Sequence, residues 1–120
     1  MKTILHHRDS GTAVQVVAHE TILSTERDIL DLMADGDPGH RWKKLIVSQN
    51  QVAPGFFDLS TGLAGAILQK ISDYDYQLAI VGDFTMYDSE PLQAFIRESN
   101  RSGQVLFVPD LETAMGRLCP

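Results

Sequence analysis

Leu63-Ala64-Gly65-Ala66-Ile67-Leu68-Gln69-Lys70-Ile71, followed after a polar stretch by Leu78-Ala79-Ile80-Val81, decides the fold of this chain. Leu63, Ala64, Ile67, Leu68 and Ile71 recur at helical spacing and share one face. Leu78 to Val81 is an unbroken apolar run, the pattern of a strand covered on both sides. A one-faced helix feeding a two-sided strand predicts a layered α/β domain. The same alternation continues downstream. A helix around Pro91 to Ser99 turns Leu92, Phe95 and Ile96 inward, and Asn100-Arg101-Ser102-Gly103 ends it before the apolar strand Val105 to Val108. Asp110 then caps a last helix carrying Leu111, Ala114, Met115 and Leu118.

Upstream, Lys44 to Val47 reads as a short strand after the polar loop Asp35 to Arg41. A helix starts after Ser24, with Glu26 and Asp28 in its first turn and Ile29, Leu30, Leu32 and Met33 facing inward. It stops near Gly36, ahead of Pro38. Thr3 to His6 and Thr12 to Val17 form two strands joined by the turn-rich Arg8-Asp9-Ser10-Gly11. The order β-β-α-β-α-β-α-β-α requires right-handed crossovers. The expectation is a single α/β domain over residues 1–120, with a mixed, mainly parallel sheet, an antiparallel N-terminal hairpin and about four helices.

Composition narrows the functions. The 120 residues are 43 % hydrophobic and 22 % charged, close to ordinary globular values. Ten basic residues against sixteen acidic ones leave a net charge of −6, and the only adjacent basic pair is Lys43-Lys44. Nucleic acid and anionic lipid are therefore poor partners, because both need a concentrated basic face. No apolar run approaches the ~20 residues of a membrane span, and the first residues lack the apolar length of a signal peptide. The cytoplasm is the expected location. Cys119 is alone, which excludes an internal disulfide or a cysteine metal cluster.

The motif with most chemical content is Phe57-Asp58-Leu59-Ser60-Thr61-Gly62-Leu63, at the start of the central helix. Together with Ala79-Ile80-Val81-Gly82 and the closing stretch from Val105 to Ala114, it resembles the STAS domain family, named from sulfate transporters and anti-sigma-factor antagonists. The chain looks closer still to a bacterial family of uncharacterised domains sharing Phe-Phe-Asp-Leu-x-Thr-Gly-Leu-Ala-Gly and Val-Gly-Asp-Phe. STAS antagonists carry Asp-Ser-Ser-Gly-Leu at this helix start, and phosphorylation of the hydroxyl before Gly releases a bound protein. Alignment on Gly62-Leu63 places that role on Thr61, with Ser60 beside it. Leu59 stands where those antagonists have Asp, and Asp58 lies one residue earlier. The resemblance implies a non-catalytic, regulatory protein-interaction module with a protein partner and no cofactor. Its surface would comprise Phe57, Asp58, Ser60, Thr61 and Gly62. The structural alternative is that Ser60 and Thr61 cap the helix and Gly62 allows close helix-to-strand packing.

Two other readings stand beside it. Phe56, Asp83, Phe84 and Asp110 could line the rim of a pocket for a small apolar ligand or lipid. Asp58, Asp83 and Asp110 each follow a strand, so a third reading gathers them on one rim as a divalent-metal site of an enzyme; local turn and cap hydrogen bonds are the plainer explanation. His6 and His7 point to opposite faces of a strand, while His19 and His40 are isolated, so no metal motif emerges. Thr61-Gly62-Leu63-Ala64-Gly65-Ala66 lacks the lysine of a nucleotide P-loop, and no Gly-x-Ser-x-Gly elbow is present. Trp42, Phe56, Phe57, Phe84, Met86 and Tyr87 are divided between core and an apolar surface.

Overall fold

The computed structural model of the chain describes residues 1–120. Its strands are β1 (Lys2–Arg8), β2 (Gly11–Val17), β3 (Lys44–Ser48), β4 (Gln77–Val81) and β5 (Val105–Val108). Its α-helices are α1 (Glu26–Gly36), α2 (Leu63–Asp73), α3 (Glu90–Ser102) and α4 (Leu111–Leu118). The sheet runs β1-β2-β3-β4-β5, with β1 antiparallel to β2 and every later pair parallel. This is the mixed sheet with an N-terminal hairpin that the alternation of patterns predicts.

Strands laid down in sequence order fix where the helices go. Right-handed crossovers that advance one strand at a time in one direction deposit every crossover helix on the same face. Ile29, Met33, Ala64, Ile67, Leu92 and Ile96 from α1, α2 and α3 accordingly share a core with Val14, Leu45, Leu78 and Val105. The opposite face belongs to α4, whose Ala114, Met115 and Leu118 pack on Ala13, Ile46, Ala79 and Leu106. Both faces of the middle strands are thereby buried, which explains their unbroken apolar sequences.

The helix ends follow local chemistry. Thr25, rather than Ser24, caps α1: its hydroxyl accepts the Asp28 N–H, and the Asp28 carboxylate accepts the Thr25 N–H in return. Ser89 caps α3, which runs one turn further than its apolar pattern reaches and stops at Gly103, whose φ is 87°. Asp110 caps α4 through the Thr113 N–H.

The connection from α1 to β3 is organised by a buried carboxylate that carries no sequence signature. Asp37 is 1 % exposed. It accepts backbone N–H bonds from Arg41, Trp42 and Lys43 at 3.0, 3.0 and 2.9 Å, and the Tyr76 hydroxyl at 2.8 Å. Because Tyr76 donates its only proton to Asp37, the His40 Nδ1 at 2.6 Å from the phenol oxygen must be the donor in that contact. These bonds hold His40 and Lys43 at φ of 52° and 61°, conformations that side chains disfavour. Burial alone would raise the Asp37 pKa, but the donors from Lys43, Trp42, Tyr76 and Arg41 outweigh it and hold the carboxyl below its usual value. Burial, then the bond to Asp37 and its charge, raises the Tyr76 hydroxyl.

Removing that acceptor strands several buried donors. Asp37→Ala is expected to lower the unfolding free energy by about 3 kcal/mol, measured by urea denaturation at neutral pH. A carboxyl whose folded pKa is depressed contributes fully above its unfolded value of about 4 and loses that contribution as pH falls through the folded value. The variant should therefore be less sensitive than the parent chain to acidification below about pH 4.

Candidate functional site

After β3 the chain makes three short 3-10 turns, Gln49–Gln51, Pro54–Phe57 and Leu59–Thr61, before entering α2. Gln51 moors the first turn, its amide donating to the carbonyls of Val16 and Ala18. Phe56 and Phe57 anchor the second, packed edge to face with centroids 5.1 Å apart. In the third, the Asp58 carboxylate accepts both the Ser60 N–H at 3.1 Å and the Ser60 hydroxyl at 2.6 Å. Thr61 Oγ1 lies 2.6 Å from the Gly55 carbonyl and 2.9 Å from that of Asp58, and accepts the Leu63 N–H at 3.2 Å. One proton serves the two carbonyls, so the hydroxyl braces the turn while the residue stays exposed.

Gly62 has φ 77°, and a Cβ there would meet nothing within 4 Å. Backbone conformation, rather than the close helix-to-strand packing expected from sequence, is what calls for glycine. Gly82 is the opposite case. A Cβ at Gly82 would collide with Gln49 Oε1 and lie 2.6 Å from Gln49 Cβ. The missing side chain lets the Gln49 amide cross from the end of β3 to the end of β4. There it accepts the Asp83 N–H at 3.0 Å and donates to the Tyr87 hydroxyl at 3.1 Å.

The loop after β4 is thus tied to the turn before α2. Phe57 stacks on Tyr87 at 5.0 Å and leans on Phe84 at 5.9 Å, and Phe84 meets Phe107 edge to face at 5.2 Å. Gln93 of α3 closes the loop by donating to the carbonyls of Phe84 and Tyr87. Two large apolar residues stand outside this aromatic stack, Leu59 at 36 % exposure and Met86 at 68 %.

The connection from β4 leads to α3 on one face and that from β5 to α4 on the other. A crevice opens between adjacent parallel strands whose connections part in this way. Here it is an open cleft of about 250 Å³ lined by Asp83, Phe84, Thr85, Gln93, Phe107 and Pro109. It lies below the roughly 300–1,000 Å³ of ordinary small-molecule sites.

The residues singled out by sequence are distributed as follows. Asp58, Ser60, Thr61 and Gly62 form one exposed turn, with Phe57 buried behind it. Asp83 and Phe84 line the cleft, and Asp110 follows Pro109 at its lip. Phe56 is fully buried and belongs to the core rather than to a rim. Asp58, Asp83 and Asp110 do not converge, and no group of three His, Cys, Asp or Glu side chains is placed to hold a metal ion. Each carboxylate instead accepts local donors: the hydroxyl and N–H of Ser60 for Asp58, the hydroxyl and N–H of Thr85 for Asp83, and the Thr113 N–H for Asp110. All three are held below the usual carboxylate pKa and stay ionised. Gln49 escapes sequence reading because no local pattern announces a contact 34 residues away, although Gly82 after an apolar strand is a signal of close approach.

The Gln49–Gly82 fit can be measured as a coupling. Gly82→Ala should cost about 1–3 kcal/mol by overpacking. Gln49→Gly removes both the amide and the Cβ, so the double variant should be more stable than the sum of the single losses in urea denaturation.

No helix is long and apolar enough to cross a membrane. Neither the curated proteins nor the solved structures give a significant match to the chain. A family model described as a domain of unknown function, DUF4180, matches residues 8–118, and the chain belongs to that family.

Proposed function

We propose that the chain is a non-catalytic protein-recognition module of the bacterial cytoplasm, and that its docking surface is the joined pair of loops after β3 and β4. One observation carries this reading. The two loops are fixed to each other by the Phe57–Tyr87 stack and the Gln49 amide, yet one leaves Leu59 exposed next to Ser60 and Thr61 and the other leaves Met86 exposed. Rigid loops that present apolar side chains to solvent are organised for an outside partner, because holding them exposed gains nothing for the isolated chain.

The likeness of Phe57 to Leu63 to the STAS helix start supports a regulatory hydroxyl at Thr61. A phosphate there would add about −1.5 to −2 charges and end the donation to Gly55 and Asp58. It would also stand at the amino end of α2, where helix geometry favours an anion. The change in charge and in turn geometry would fall on the docking surface itself. A small-ligand carrier remains the second reading, favoured by the cleft against Phe84 and Phe107.

The test is affinity purification of the tagged chain from its own cells, with crosslinking to locate contacts. A protein crosslinked to the loops, lost on Leu59→Asp and Met86→Asp and on Thr61→Glu but kept by Thr61→Ser, is the expected result. Circular dichroism and thermal unfolding must show the variants folded. Retention of the same partner by both Asp variants, or a retained metabolite or lipid in place of a protein, would overturn the reading.

A further inference from the structure

The two edges of the sheet are finished differently. On the outer side of β5, Asn100 of α3 accepts the Phe107 N–H at 2.7 Å and donates to the Phe107 carbonyl at 3.2 Å, and the Ser99 hydroxyl donates to the Val105 carbonyl at 2.5 Å. The Asn side chain takes the place of the next strand. At the other edge β1 has no such cover. Arg8 pairs with Gly11 across the turn Asp9-Ser10, so alternation directs the backbone of Lys2, Ile4, His6 and Arg8 to β2 and that of Thr3, Leu5 and His7 outward. No helix or loop supplies partners to those outward N–H and C=O groups.

The side chains of β1 add a second asymmetry. Ile4 and Leu5 are 43 % and 44 % exposed on opposite faces of the strand. Lys2 and Arg8 stand near its ends, and the strand carries no acidic residue. Of the lysines and arginines, Arg27, Lys70, Arg97 and Arg101 sit in ion pairs, and Arg117 is bound to the Asn100 carbonyl. The five cations with no oxygen partner are Lys2 and Arg8 on β1 and Arg41, Lys43 and Lys44 at the entry to β3, on the far side of β2. Arg41 lies over Trp42, Trp42 meets His7, and Lys44 lies close to Gly11. Unpaired positive charge in a chain of net charge −6 thus collects along one flank. A groove of about 430 Å³ between β1 and α4, lined by Leu5, His6, Arg8, Leu111, Glu112 and Met115, runs beside it.

We propose that β1 is a second interaction surface, which takes an extended acidic segment of a partner protein as a sixth strand. The outward N–H and C=O groups of Thr3, Leu5 and His7 would form the ladder, the apolar residues of an alternating segment would cover Leu5 on one face, and its carboxylates would face Lys2 and Arg8 on the other. Charge selects this occupant over a second copy. Antiparallel self-pairing centred on Leu5 sets Lys2 opposite Arg8, and no register of β1 against itself brings a carboxylate to either cation. An open strand edge matches a peptide backbone, which a nucleic acid lacks.

The probe is a blocked peptide of alternating Glu and Val, about seven residues long to match the strand, titrated into the full chain and followed by anisotropy and amide hydrogen exchange. Binding should slow exchange at Thr3, Leu5 and His7. Leu5→Pro removes one outward donor without touching the β2 ladder, and should weaken binding about tenfold or more while leaving the unfolding midpoint unchanged. A peptide with Gln in place of Glu should bind more weakly. Binding that leaves those three amides unprotected, equal affinity for the Gln peptide, or no effect of Leu5→Pro would overturn the proposal. So would a dimer in sedimentation that Leu5→Pro dissociates, or a labelled oligothymidylate binding more tightly than the peptide.

Discussion

A missing side chain at Gly82 lets Gln49 lie across the carboxyl ends of β3 and β4, and the join between the loops that follow them depends on that contact. The Gln49 amide fills the gap with one acceptor for the Asp83 backbone and one donor for Tyr87. Tyr87 is thereby set against Phe57, and Phe57 fixes the turn that opens α2. Without this bridge the loops after β3 and β4 would be joined only by the contacts of Phe57 with Phe84 and Tyr87. With it a hydrogen-bonded amide is added to the aromatic contacts between them.

The fold was readable where its causes are local. Leu78 to Val81 and Val105 to Val108 are apolar without interruption because helices cover both sides of those strands, and Asp110 reads as a cap because its partner is three residues away. The α1 cap was displaced by one residue since Ser24 and Thr25 are both good caps and only the reciprocal bond with Asp28 selects Thr25. Contacts between distant residues left no such trace. Asp37 looks like any loop carboxylate until Tyr76, 39 residues on and just ahead of β4, donates to it. At the candidate site the Asp58 to Gly62 turn was legible as a polar helix start. The burial of Phe56, the conformational reason for Gly62 and the Gln49 bridge were not, because each is set by what the turn packs against.

Electrostatics divides the molecule in a related way. At the carboxyl end of the sheet the exposed aspartates are engaged by their own turns, so their charges stiffen loops. Along β1 the cations have no such local use and stand free. In the connection from α1 to β3 the Asp37 carboxylate is satisfied entirely by donors of the protein itself. One residue type thus acts as a turn lock at the surface and as a buried anchor, depending only on the donors around it.

The Asn100 clasp on Phe107 also bears on how these molecules could associate in number. A sheet with two open edges can add copies head to tail without limit, which is the geometry of fibres. Here helix α3 closes one edge with a side-chain amide in the role of a strand, so the sheet can grow in one direction only. Any assembly made through the strands must then stop after a single addition. Finite stoichiometry is built into the chain by one residue on a helix that is itself far from the open edge.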